Sequence, residues 1–192
     1  PYDGVVEGWW ESKQAMVEAT RSDEGREVDQ ILRDDEKNFM DLQRSVAWFN
    51  YEYPQVNPTP ENIVATERSS LVKLYFPLRH LDSLTFDEAQ WYWRTHHGPV
   101  IRRQAHGSGI VRYQQVHRDE PGLTAAINRS RGSETEPYLG HAEVWMDRSS
   151  MGKPTPENRA ASKRAYEDET NFIDFSRSTM FLAKEHVIID RR

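Results

Sequence analysis

The chain has 192 residues, 36% of them hydrophobic, and a formal net charge of −6 at pH 7. That acidic balance excludes a nucleic-acid backbone as partner, which needs a basic face, and no apolar run approaches the ~20 residues of a membrane-spanning helix. The absence of cysteine removes disulfides, thiolate nucleophiles and cysteine-ligated metals, and fits a cytoplasmic setting.

In chain order, residues 5–10 read as a strand with Glu7 and Trp9 on one face. Between residues 28 and 44, Ile31, Leu32, Phe39 and Leu42 recur at helical spacing. An aromatic-rich strand follows over 46–53, and a connector over 54–60 with three prolines marks a boundary. Residues 71–76 form a strand with Val72, Leu74 and Phe76 on one face and Lys73 and Tyr75 on the other. Thr85 and Glu88 make a capping box that opens a helix running through Phe86, Ala89 and Trp93 toward His97. Gly98 interrupts that helix, Pro99 opens another, and Gly107 ends it. A strand over 110–117 leads to a long loop over 119–137, which at this length is functional or disordered. Residues 138–146 are the next strand. Thr155 and Pro156 start a helix that reaches about Phe175, and the last strand covers 181–189. From residue 71 the order is βαββαβ, the split ferredoxin-like pattern.

An internal repeat supports this division. Tyr138-Leu-Gly-His-Ala-Glu-Val-Trp-Met-Asp147 matches Tyr2-Asp-Gly-Val-Val-Glu-Gly-Trp-Trp-Glu11, and Glu167-Asp-Glu-Thr-Asn-Phe-Ile-Asp174 matches Asp34-Asp-Glu-Lys-Asn-Phe-Met-Asp41. The expected fold class is therefore α+β, with tandem ferredoxin-like units forming a dimeric-type α/β barrel whose first unit is incomplete. Residues 1–56 are expected to supply the βαβ second half of the first unit, 57–70 a linker, and 71–192 a complete unit. Pro1 aligns with Pro137, so a further segment upstream, or another chain, is expected to complete the first unit.

The run Tyr92-Trp-Arg-Thr-His-His-Gly-Pro99, the Arg112-Tyr113 strand and the closing Lys184-Glu-His-Val-Ile-Ile189 resemble the EthD-like family of dimeric α/β barrels. The resemblance implies two sheets set face to face around a pocket, with helices outside. Here both units would lie in one chain. It also implies a characteristic histidine in a His-Gly-Pro context, which is His97, with its neighbour His96 as the competing assignment.

Strand alternation then proposes the pocket. Ala142, Val144 and Met146 should face the helices, while His141, Glu143 and Trp145 face the partner sheet beside Lys73 and Tyr75. The repeat adds Glu7 and Trp9 in the matching place. The expected catalytic set is His97, His141 and Tyr75, with Glu143, Trp145, Glu7, Trp9, Lys73 and His96 binding substrate. A histidine near neutral pKa, a phenol and a carboxylate in an aromatic-walled pocket suffice for acid–base chemistry without cofactor or metal. The recurring Glu7 and Glu143 equally suit structural ion pairs, for instance with Lys73. The two tryptophans read as pocket wall or core rather than chemistry, and His117 and His186 read as surface residues.

The leading function is a small-molecule enzyme performing dehydration, decarboxylation, cyclisation or isomerisation on an aromatic or polyketide-like substrate. The alternatives are a cofactor-free quinol monooxygenase, a haem enzyme for which no ligand motif speaks, and a non-catalytic binding or assembly protein. A homo-oligomer is a further expectation.

Overall fold

The computed structural model describes residues 2–57, 63–119 and 121–190. Pro1 and residues 58–62 of the expected linker therefore lie outside the described residues. The chain divides into two compact units, one formed by residues 49–119 and 138–190, the other by residues 2–48 and 121–137. Among the described residues no helix is long and apolar enough to cross a membrane.

The first unit holds the strands β1 (Phe49–Val56), β2 (Leu71–Leu78), β3 (Ile110–Asp119), β4 (Gly140–Asp147) and β5 (Phe181–Ala183). They form one sheet in the order β1-β3-β4-β2-β5, antiparallel throughout. Without β1 the order is that of a ferredoxin-like unit, and the α+β expectation holds. β1 adds a strand at the β3 edge and runs three residues past the expected strand end. Pro54, read as the start of a connector, sits inside it beside a register shift at Pro54/Val56. An edge strand tolerates proline because its outward N–H is not needed by the ladder. At the other edge, β5 stops at Ala183, so the expected strand over 181–189 is realised only at its start.

Helix α3 (Phe86–Tyr92) starts at the anticipated capping box, with Thr85 and Glu88 bonding reciprocally. A π-helical turn, Trp93–His97, joins it without a break to α4 (Gly98–Ser108). The wider turn packs Trp93 and His97, four residues apart, into the interior; π-turns are rare and gather at functional places. Gly109, not Gly107, terminates α4, in the left-handed region at φ 73°. The single-turn α6 (Arg148–Met151) follows β4, and α7 (Pro156–Glu169) begins at a second capping box between Thr155 and Asn158. The core lies between these helices and one sheet face: Phe76, Leu78, Tyr113 and Ala142 pack against Ala89, Trp93, Ile101, Phe172 and Ile173. Gly140 (φ 155°) is required there, because a Cβ would stand 2.2 Å from the Val116 carbonyl oxygen.

The second unit holds α1 (Lys13–Arg21) and α2 (Asp23–Glu36), capped by Ser12 and Ser22, and α5 (Pro121–Arg131). Three local expectations change here. Residues 5–10 form no strand, because alternation makes a strand only where a neighbouring strand offers a ladder. The helix expected over 28–44 spans Asp23–Glu36 instead. The expected loop over 119–137 contains α5, held by long-range bonds: Asn128 Nδ2 donates to the Ala47 carbonyl (2.7 Å), Ala47 N–H donates back to its Oδ1 (3.0 Å), and Arg131 pairs with Glu36 (3.0 Å).

Candidate functional site

Residues directly opposite in an antiparallel ladder share a sheet face. Lys73, Tyr75 and Pro77 of β2 stand opposite Trp145, Glu143 and His141 of β4, which in turn stand opposite Arg112, Gln114 and Val116 of β3. One face therefore gathers Lys73, Tyr75, His141, Glu143 and Trp145, as the alternation implied. These five side chains belong to residues no more than 3% exposed.

Charges buried to that degree must be paired. Lys73 Nζ lies 2.9 Å from Glu143 Oε1 and 3.5 Å from Glu185 Oε1, and 4.9 Å from the centre of the Trp145 ring. The ion pair weighed for Glu143 is thus present. Glu143 Oε1 also lies 3.2 Å from His141 Nε2, and the His141 ring stacks on Tyr75 at 4.4 Å. When the imidazole is neutral, donation from Nε2–H to the carboxylate makes Nδ1 its basic nitrogen.

Three members of this face were not singled out from sequence. Glu185 accepts from the Trp145 indole N–H (2.8 Å) and the Ala65 amide (2.6 Å). The Arg112 guanidinium lies 4.0 Å over the Trp145 ring and donates to Gln114 Oε1 at 2.8 Å. Nothing in the alternation of β3 separated its two faces, since Arg112 and Gln114 alternate with the equally polar Gln115 and His117.

His97 does not join them. It is 3% exposed on the opposite, helix-covered side, where its Nδ1 lies 2.7 Å from Asp168 Oδ2 and its ring 5.4 Å from Phe172. The expectation that His97 and His141 reach one pocket is corrected: the helix must bury its Trp93 stripe on the sheet face that carries Tyr113, and His97 follows it there. His96 points outward, exposed and stacked on Tyr92 at 4.9 Å. Glu7 and Trp9 belong to the other unit, in a stretch without strand structure, and Trp9 is 66% exposed. His117, expected at the surface, is 7% exposed and stacks on Trp93 at 4.2 Å. Burial, helped by the nearby Arg94 charge, lowers its pKa to about 3.

The EthD domain model matches residues 81–176, half of the chain. The chain belongs to the EthD family. That family lies within the dimeric α/β barrel superfamily of ferredoxin-like units, in agreement with the strand order above. No curated protein matches the chain. The EthD match contains α3, the π-turn, β3, β4 and α7, and so His97, His117, His141, Glu143 and Trp145. Lys73, Tyr75 and Glu185 come from strand and tail segments that flank the EthD match.

The helix-side cluster of this EthD domain makes a pH prediction. Burial pushes the Glu169 carboxyl up, with Asp168 adding to it and His97 opposing. Burial also acts on Asp168, but the hydrogen bonds from His97 and Tyr92 outweigh it and hold that carboxyl below its usual range. A raised carboxyl binds its proton more tightly folded than unfolded, so ionising it costs stability as pH rises through the folded value. Glu169→Gln is therefore expected to raise Tm at pH 7 and to flatten the gain that the wild type shows on mild acidification. Asp168 has the opposite sign: its contribution is present above the usual ~3.9 and lost as pH falls through its depressed value, so Asp168→Asn should lower Tm at neutral pH. Thermal unfolding across a pH series checks both, and a Glu169→Gln protein less stable than wild type at pH 7 contradicts the assignment.

Proposed function

We propose that this EthD-family chain catalyses proton transfer on an aromatic or polyketide-like small molecule, without a bound cofactor. The reaction class is dehydration, decarboxylation, cyclisation or isomerisation. The observation that carries the reading is the His141–Glu143–Lys73 relay with Tyr75 stacked on the imidazole. In this reading Glu143 orients His141 and stabilises its protonated form. His141 Nδ1 takes and returns the proton, Tyr75 donates to the oxyanion that develops, and Trp145 supplies an apolar wall. A cysteine-free chain suits a cytoplasmic location.

The test is turnover of a panel of β-polyketone and hydroxyaromatic compounds by the wild type, His141→Gln and Tyr75→Phe. Loss of a positioned general base typically costs ~10²–10⁴ in rate, and His141→Gln is expected to fall in that range with its fold retained by circular dichroism. Wild-type turnover in both variants would reject the mechanism. A second reading, a non-catalytic binding or assembly protein, is favoured by the way Lys73 is engaged in ion pairs with both Glu143 and Glu185. It predicts no turnover from the panel, with the Lys73 cluster acting on stability alone.

A further inference from the structure

On the helix-covered side of the sheet, between β1, the end of β3 and α3 with its π-turn, lies a cleft of ≈ 360 Å³. That is the size of a small-ligand pocket. Tyr51 and Tyr53 of β1 and Phe86 and Trp91 of α3 give it flat apolar walls, with Arg94 and His117 between them. Tyr51 is 46% and Trp91 60% exposed, so large π-faces stand open in a concave surface. Tyr51 and Tyr53 stand opposite His117 and Gln115 in the ladder. They therefore lie on the sheet face opposite to His141.

The charge in the cleft is specific. The Arg94 guanidinium is stacked 4.0 Å over the Tyr53 ring, which holds its plane in place while leaving its edge of N–H donors for an anion. Among the described residues it makes no ion pair with a carboxylate. Arg118, also in the lining, is engaged with the Tyr138 carbonyl and the Phe86 ring, and Asp119 is the lining's one carboxylate.

His117 contributes no charge. Gln115 Nε2 donates to the Trp93 carbonyl (2.9 Å), so its Oε1 faces His117 Nε2 at 3.1 Å and can only accept. The imidazole proton is therefore on Nε2, and Nδ1 is an acceptor. Burial keeps the ring neutral.

We propose that this cleft is a binding site for a flat aromatic carboxylate, its ring between the tyrosine and tryptophan walls and its carboxylate on Arg94. The site is independent of the proton-transfer reading, because it lies on the other sheet face and uses none of the same residues.

Calorimetric titration with 2-naphthoate and its neutral isostere 2-naphthamide tests it. Saturable 1:1 binding of the acid is expected, with the amide weaker by tenfold or more. Arg94→Gln should lower affinity for the acid about tenfold to hundredfold, the range of a charge-assisted hydrogen bond, and leave the amide unchanged. Arg94 is exposed, so this variant should keep the wild-type circular dichroism. Trp91→Ala should weaken both ligands. Equal affinity for acid and amide, unchanged affinity in Arg94→Gln, or no saturable binding of the acid would each overturn the proposal.

Discussion

Replacing Lys73 with methionine is expected to cost about 3–5 kcal/mol of stability, the range seen when one partner of a buried ion pair is removed. The Lys73 side chain is 4% exposed and its ammonium lies within 2.9 Å of Glu143 and 3.5 Å of Glu185. Methionine preserves most of the stem volume but leaves the buried Glu143 carboxylate, and the partly exposed Glu185 beside it, with one positive charge fewer. The loss should be largely recovered in Lys73→Met with Glu143→Leu, because removing both members of the pair removes the desolvation cost together with the attraction. Urea unfolding at constant m reads both variants. A single variant within ~1 kcal/mol of wild type would mean that this face is more hydrated than its burial implies.

Trp93→Ala is expected to cost about as much, roughly 3–5 kcal/mol, by a different route. Trp93 is 1% exposed at the start of the π-turn; its ring stacks on His117, and its indole N–H donates to the Tyr113 hydroxyl at 3.3 Å. Alanine opens a cavity against a β-sheet that cannot collapse to fill it. For a chain of this length such a change lowers Tm by on the order of 10 °C. Trp93→Phe keeps an aromatic face on His117 and forfeits only the N–H, so its drop should be clearly smaller. Equal drops for the two variants, or a drop below ~3 °C for alanine, would place the packing elsewhere.

Both residues were legible from sequence to different degrees. The alternation of His141, Glu143 and Trp145 against Ala142 and Val144 assigned the faces of β4, because one set is polar and the other apolar. Lys73 and Tyr75 followed the same rule in β2. β3 was not separable, since both of its alternating sets are polar; its sidedness comes from the partners it meets, Trp93 on one face and Trp145 on the other. The sequence puts His97 at a helix end beside the first strand; instead the π-turn carries the helix on into α4, and His97 lies on the other side of the sheet. The helical stripe says that Trp93 packs inward, and only the fold says against which face.

The two copies of the acidic repeat separate what local chemistry determines from what packing decides. α2 stops at Glu36 and α7 at Glu169, each at the same place in the repeated motif, and both stop short of the ends near residue 44 and Phe175 that the helical spacing predicts. The capping boxes at Thr85 and Thr155 are local, because the groups that satisfy the free amides lie within one turn of them. Yet Phe172, after the second helix, is fully buried, while its counterpart Phe39 is 72% exposed. In the same way the second copy of the other block carries β4 (Gly140–Asp147), while the matching residues 2–11 form no strand. The family run around His97 and the βαββαβ order were determined by the sequence itself, since turn chemistry and period act over a few residues. Burial, strand pairing and the company each histidine keeps were decided by tertiary structure, because a ladder or a cavity wall is supplied by chain segments tens of residues away, and the local sequence does not encode which of them arrive.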